Sequence, residues 1–312
     1  MKLIIQPDDG LTPLLRAVKT AKERIDIVIF RFDRLEIEEA LEAAVARGVV
    51  VRALIAHTNR GGEKTLRKLE ARMLARGIIV ARTADDLPRY HAKMMIVDNA
   101  LYVLGFNFTR QDIVKSRSFG VVTRDVRIVK DAASLFEADS SRQTYAPSHE
   151  RFIVSPETSR ARLTSFIKGA KKQLCIYDTQ VSDNMIQRLL EERATAGVDI
   201  RIIGKLEKPL LGIETRKLKS HRLHVRAMIR DGTTGFVGSQ SLRKLELDGR
   251  REVGLIFADA RVAKHLLKIF EADWEQATVT REALPIPGSA ASEKAAAAAD
   301  KASDKAHKDK SD

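Results

Sequence analysis

The spacing of apolar residues changes period several times within the first fifty-five positions. Leu3 to Ile5 form a short apolar run that ends at Pro7-Asp8-Asp9. From Leu14 the apolar positions fall at helical spacing, with Leu14, Leu15, Val18 and Ala21 on one stripe. Ile25 to Phe32 reads as a strand. A helix is expected from about Glu36 to Arg47, stopped by a C-terminal glycine at Gly48, and the β-rich run Val49 to Ile55 follows. Strands that alternate with helices imply an α/β sandwich around a largely buried sheet.

The same succession then recurs. Ile4 to Ala56 aligns with Ile153 to Lys205 at a constant offset of 149 and without a gap, matching Pro7 with Pro156, Ile27 with Ile176, Gly48 with Gly197 and Arg52 with Arg201. The offset is 133 where His91, Asp98 and Gly105 meet His224, Asp231 and Gly238. It is 134 where Arg117 and Gly120 meet Arg251 and Gly254, and where Phe136-Glu137-Ala138-Asp139 equals Phe270-Glu271-Ala272-Asp273. Internal repetition fixes the organisation. A first repeat spans 1–148 and a second 149–280, and an Ala/Lys/Ser/Asp-rich tail over 281–312 is expected to be disordered. Between the aligned blocks the first repeat has 34 residues (57–90) and the second 18 (206–223). A helix from Glu63 to Arg76 and a strand near Ile78 to Ala81 are expected to make up the difference.

Composition bounds the class of molecule. The chain has 312 residues, 44% hydrophobic and 31% charged, enough for two units that each bury a core. The formal charge is +13, whereas residues 281–312 hold six basic and six acidic side chains, so the excess belongs to the folded part. A body that basic attracts polyanions such as nucleic acid or anionic lipid headgroups; a solvated surface kept for solubility explains the same charge. The single cysteine, Cys175, excludes an internal disulfide and a cysteine zinc site, and its setting in Leu174-Cys175-Ile176-Tyr177 makes it a core thiol. No apolar run is long enough for a signal-peptide core or a bilayer span, so a cytoplasmic location with peripheral membrane contact is expected.

One segment concentrates the chemistry. In His91-Ala92-Lys93-Met94-Met95-Ile96-Val97-Asp98, strand alternation puts His91 and Lys93 on one face, and Asp98-Asn99 makes the turn. The counterpart is His224-Val225-Arg226-Ala227-Met228-Ile229-Arg230-Asp231. An imidazole and a cation thus stand side by side twice. A phosphodiester resists attack because it is anionic and its leaving alkoxide is poor. Two histidines meet both difficulties if one neutral ring attacks phosphorus and a second, protonated ring serves the leaving oxygen. With an unperturbed pKa of about 6.5, both states are accessible near neutrality.

The first copy matches the H-x-K-x4-D signature, and from about Lys2 to Gln276 the chain resembles the phospholipase D superfamily, in particular its phospholipase D, cardiolipin synthase and nuclease members. The resemblance, with the repeat, implies two α-β-α sandwich units with mixed sheets, packed about a pseudo-twofold axis as in an isologous contact, with His91 facing His224 across a cleft. It implies a metal-independent reaction without cofactor through a phosphohistidine on His91, with His224 as general acid and then base, although repeat symmetry permits the opposite assignment. Lys93 and Arg226 would hold the non-bridging oxygens, and the signature aspartates Asp98 and Asp231 join the catalytic set.

Three departures from the family pattern bear on the site. Arginine replaces lysine at Arg226. The Gly-Ser-x-Asn element is split, with Asn107 in the first copy and Ser239 and Ser241 in the second. The downstream acid is Glu252 in the second copy, placed to orient a histidine, but Ser118 in the first. The partners left open are a phospholipid or other phosphodiester, a nucleic acid, or phosphate bound without turnover, on a chain that works as a monomer. The stretch Leu206 to Ile213, flanked by Lys205 and Arg216-Lys217-Leu218-Lys219, suits a lipid interface or packs as an ordinary loop on the core.

Overall fold

The computed structural model describes residues 1–59 and 62–287. The first repeat runs through β1 (Lys2–Gln6), α1 (Thr12–Thr20), β2 (Arg24–Ile29), α2 (Leu35–Ala46), β3 (Val50–Ile55), α3 (Glu63–Ala75), β4 (Ile79–Arg82), β5 (Met94–Val97), β6 (Ala100–Leu104), α4 (Arg110–Val114), β7 (Ser116–Thr123) and α5 (Val126–Ser141). The second continues with β8 (Phe152–Ser155), α6 (Ser159–Lys168), β9 (Gln173–Val181), α7 (Asn184–Thr195), β10 (Asp199–Leu206), β11 (Ile213–Lys217), β12 (Arg222–Leu223), β13 (Arg226–Arg230), β14 (Thr234–Gly238), α8 (Lys244–Asp248), β15 (Glu252–Phe257), α9 (Ala260–Gln276) and β16 (Thr278–Arg281).

Each repeat builds one mixed sheet of the expected kind. The first is ordered β1-β7-β6-β5-β2-β3-β4, with β12 of the other repeat added beside β7; the second is ordered β16-β11-β10-β9-β13-β14-β15-β8. In both, the strands joined by crossover helices are parallel, β2 to β3 and β9 to β10, whereas the hairpins β5-β6 and β13-β14 are antiparallel. The repeats differ by one element rather than the two expected. β4 pairs in parallel with β3 as β11 does with β10, so α3 is extra but the strand after it is not. Antiparallel β16 beside β11 and a bridge between Leu211 and Leu284 hold the chain on the second sheet beyond 280, within the stretch expected to be tail; residues 288–312 lie outside the described residues.

Apolar surface divides into three clusters. Leu14, Val18 and Leu41 of α1 and α2 cover one face of the first sheet, and Leu163, Ile167 and Leu190 of α6 and α7 cover one face of the second. The opposite faces share a single cluster that takes Met94, Val103, Phe119 and Phe136 from the first repeat and Phe152, Tyr177, Val253 and Phe270 from the second. Burial of that common surface, which neither repeat could leave in water, holds the halves together.

Polar latches fix the register of this contact. Arg117 of the first repeat forms a bidentate pair with Asp273 of the second, at 2.9 and 3.2 Å, and Arg251 of the second pairs with Asp139 of the first at 3.0 Å through each of two nitrogens. The same arginines reach back to Gln6 and Asp8, and to Ser155 and Glu157, at equivalent places in their own repeats. These reciprocal contacts express the pseudo-twofold relation. At its centre Gly105 admits no side chain, because a Cβ there would lie 2.8 Å from the Phe119 carbonyl oxygen and 3.3 Å from that of Gly238.

Candidate active site

The two histidine segments sit where the repeats exchange backbone. β5 and β13 run antiparallel to β2 and β9, so the residues that lead into them lie at the end where the parallel strands finish. His91 N–H donates to the Arg251 carbonyl at 2.7 Å, and Arg251 N–H donates to the Arg89 carbonyl at 2.9 Å. On the other side β12 lies parallel to the start of β7, and His224 N–H donates to the Arg117 carbonyl at 3.3 Å. Each histidine is therefore anchored by a backbone hydrogen bond to the opposite repeat, at the very arginine whose side chain latches the interface.

The rings are oriented by carboxylates that cross between repeats. His91 Nδ1 lies 2.8 and 3.1 Å from the two Glu252 oxygens, which fixes Nδ1–H toward the acid and leaves Nε2 for chemistry. Ser239 hydrogen-bonds both the N–H and the carbonyl of Val253, at 3.1 and 3.3 Å, and so steadies the strand that carries Glu252. His224 Nδ1 faces Asp112 Oδ2 at 3.4 Å, without hydrogen-bond alignment. Asp112 is in turn held by the Asn107 N–H and Nδ2 at 2.9 and 2.6 Å and by Arg222 Nη1 at 2.8 Å. Asn107 and Ser239 thus act on the orienting acids.

The two cations have unlike surroundings. Lys93 is 1% exposed, donates to the His91 carbonyl at 2.5 Å and lies 5.3 Å from the Phe30 ring centre. Burial brings its pKa down to about 7. Arg226 donates from Nε to Ser241 Oγ at 3.0 Å and pairs in register with Asp178, while its Nη1 is buried without a protein acceptor. Burial pushes Asp178 up to about 6 although Arg226 pulls the other way. Both imidazoles are held well below the usual histidine value, first by burial; Lys93 and then Arg226 add to this at His91, and Arg226 does so at His224 against the pull of Asp112. The electrostatic reach of both cations to both rings makes this one site.

Two expected members of the site are absent from it. Asp98 and Asp231 stand at the far ends of β5 and β13, in left-handed turns at φ 49° and 52°, and this corrects their place among the catalytic residues. Asp98 accepts hydrogen bonds from the N–H groups of Lys22, Glu23 and Arg24, and Asp231 from those of Lys171, Lys172 and Gln173. They tie each hairpin to the start of the neighbouring strand. Of the two readings of the Leu206 to Ile213 stretch, packing on the core is the one observed, with Leu206, Leu210 and Ile213 buried in the second repeat. Asp112 and Asp178 went unread. Asp112 aligns with Glu246 at the 134 offset, an acid matched to an acid that could have marked it. Asp178 faces Ile29 in the alignment, so the repeat carried no sign of it.

Among the described residues, no group of three His, Cys, Asp or Glu side chains is placed to hold a metal ion, and no helix is long and apolar enough to cross a membrane. The protein is 25% identical over 150 residues to mouse mitochondrial cardiolipin hydrolase, a match that covers 46% of this chain and 66% of that one. Its fold is similar to polyphosphate kinase from Porphyromonas gingivalis, with a TM-score of 0.75 and 18% identity over 89% of this chain and 48% of that chain. It is also similar to phosphatidylserine synthase from Haemophilus influenzae, with a TM-score of 0.67 and 11% identity over 89% and 87% of the two chains. The family profile described as "Cardiolipin synthase, PLD-like domain" matches residues 14–140 and 163–274. With the duplicated histidine segments joined in one site, the chain belongs to this family of the phospholipase D superfamily.

Proposed function

We propose that the chain is a phospholipase D-type phosphodiesterase or phosphatidyltransferase that works through a phosphohistidine on His91, with a phospholipid as substrate. Superfamily membership makes it an enzyme of the phosphodiester-acting type. What supports a phosphate-bearing substrate here is the unpartnered Arg226 Nη1, a buried donor within electrostatic reach of Lys93 and both imidazoles that a phosphate oxygen would satisfy.

The groups present support the following course. Nε2 of neutral His91 attacks phosphorus, a P–N bond forms and the ester P–O bond breaks, while protonated His224 gives its proton to the departing alkoxide. Water or an alcohol then yields a proton to neutral His224 and attacks phosphorus, and the P–N bond breaks to restore His91. Lys93 and Arg226 stabilise the charge on the non-bridging oxygens throughout. Glu252 holds His91 in the tautomer that attack requires. Both half-sites lie on one chain, so a monomer suffices.

The test is a turnover panel without added metal that offers phosphatidylcholine, phosphatidylglycerol, single- and double-stranded DNA and a bis-aryl phosphodiester, together with a trapping experiment. With the aryl substrate, His224→Ala should accumulate a covalent phosphoryl adduct, because departure of an activated leaving group needs little acid but resolution needs a base. Mass spectrometry should place the adduct on His91. An adduct on His224 in the His91→Ala variant instead would reverse the assignment, and no adduct with either would remove the covalent mechanism. Arginines from both repeats, Arg31, Arg89, Arg222, Arg243 and Arg250, add to the positive field of the site, which keeps the DNA arms of the panel informative.

A further inference from the structure

A groove of about 570 Å³ opens between the end of β10, the end of β11 and β12. The outer edges of buried Leu206 and Leu218, half-buried Leu223, and Lys205 and Lys217 give it a mostly apolar lining, and Thr280 of β16 stands exposed at its edge. Gly204 keeps one wall bare, because a Cβ there would lie 1.7 Å from the Asp178 carbonyl oxygen. The groove is coupled to the catalytic centre by two short chains of contacts. Arg222 on its wall donates to Asp112 at 2.8 Å, and Asp112 faces His224 at 3.4 Å. Thr179 on its wall contacts Ser241 at 3.2 Å, and Ser241 accepts from Arg226 at 3.0 Å.

An apolar trough with cations at its rim, one side chain away from an imidazole and a buried arginine, is complementary to a molecule with an alkyl chain attached to a phosphate. We infer that this groove is the subsite for the alkyl chain of an amphiphilic phosphodiester, whose phosphate is seated between His91 and His224. The inference rests on the phosphodiesterase reading for the position of the phosphate, and it adds where the apolar part of the substrate lies. Chain methylenes leave water for the leucine-lined trough, while the charged ends of exposed Lys205 and Lys217 stay in water at its rim.

Binding and turnover test it separately. Isothermal titration with dodecyl phosphate and butyl phosphate should show at least tenfold tighter binding of the longer chain to the wild-type protein. Thr280→Trp, which places a ring at the groove's edge from an exposed position, should bring the two affinities within about threefold of each other while leaving that of butyl phosphate unchanged. In turnover, Thr280→Trp should lower kcat/KM for phosphatidylglycerol in mixed micelles at least tenfold and leave the bis-aryl phosphodiester within twofold of wild type. Lys217→Glu should weaken dodecyl phosphate and leave aryl turnover alone. Equal binding of both chain lengths to the wild-type protein, or a parallel fall in lipid and aryl turnover in Thr280→Trp, would overturn the subsite. Chain-length-dependent binding with no turnover of any phosphodiester would retain the subsite and overturn the enzymatic reading instead.

Discussion

Lys93 and Arg226 occupy equivalent positions, yet one lies against an aromatic ring and the other beside a carboxylate and a serine. An ammonium packed in an apolar setting is easily discharged, whereas a guanidinium keeps its charge and needs partners for its several N–H groups. Arg226→Ala should therefore lower turnover of the bis-aryl phosphodiester by about 10²–10³, the usual loss for one transition-state donor. Arg226→Lys should keep measurable activity, and a wild-type rate untouched by both Arg226→Ala and His224→Ala would refute the role given to the second half-site. The pH profile follows from the same burial. His91, depressed well below 6.5, stays neutral and able to attack at pH 6.5 and above, while His224, likewise depressed, gains its proton only on the acid side of 6.5, and Lys93 loses its charge above about 7. The free-enzyme profile of kcat/KM should thus be a bell with its maximum below pH 6.5 and a fall through 7; a plateau from 7 to 9 would contradict it. Both imidazoles and both cations were legible because the repeat displays them twice. Asp178 was not, since it faces Ile29 in the other repeat, and although Asp112 is matched by Glu246, only the three-dimensional crossing of repeats brings Asp112 to His224.

At the scale of elements, the alternation of strands and helices and the mixed sheets follow from hydrophobic period, and Asp125 and Asp259 cap α5 and α9 at equivalent places. The two-residue strand β12 was not legible, because it pairs with the other repeat's β7 and carries no local pattern of its own. Nor was β11, whose sequence Ile213-Glu-Thr-Arg-Lys is too polar to stand out from a loop. The turn aspartates show how a motif residue can serve an element. Burial works against Asp98, but the three backbone N–H groups outweigh it and hold its carboxyl below the ordinary value. A carboxyl depressed on folding stabilises above its unfolded pKa of about 3.9, and that contribution is lost as pH falls through the folded value. Asp98→Asn should cost about 1–2 kcal/mol in urea unfolding at pH 7, the range for a lost backbone cap, with the difference shrinking toward pH 2. Its kcat on the aryl substrate should match wild type; a hundredfold loss would return Asp98 to the chemistry.

At the scale of the molecule, the two latches should be energetically separate. Removing one partner of a buried, hydrogen-bonded pair typically costs about 3–5 kcal/mol, so Arg251→Ala should destabilise by that order. In double-mutant cycles, Arg251→Ala with Asp139→Ala should be strongly non-additive, while Arg251→Ala with Asp273→Ala should add to within about 0.5 kcal/mol; strong coupling in the second cycle would mean a single network. The latches have a further consequence. Each repeat carries one arginine and one aspartate of the set, so a repeat meeting a copy of itself would find the same two pairs to make. The chain therefore has the construction of a symmetric dimer whose subunits have been fused. In a true dimer every substitution appears twice, and a change that suits one half-site is imposed on the other. Fusion lifts that constraint: arginine could replace lysine at 226, glutamate could stand at 252 opposite a serine at 118, and an aspartate could enter at 178 where the first repeat keeps Ile29. The latches are symmetric, while the chemistry they enclose is not.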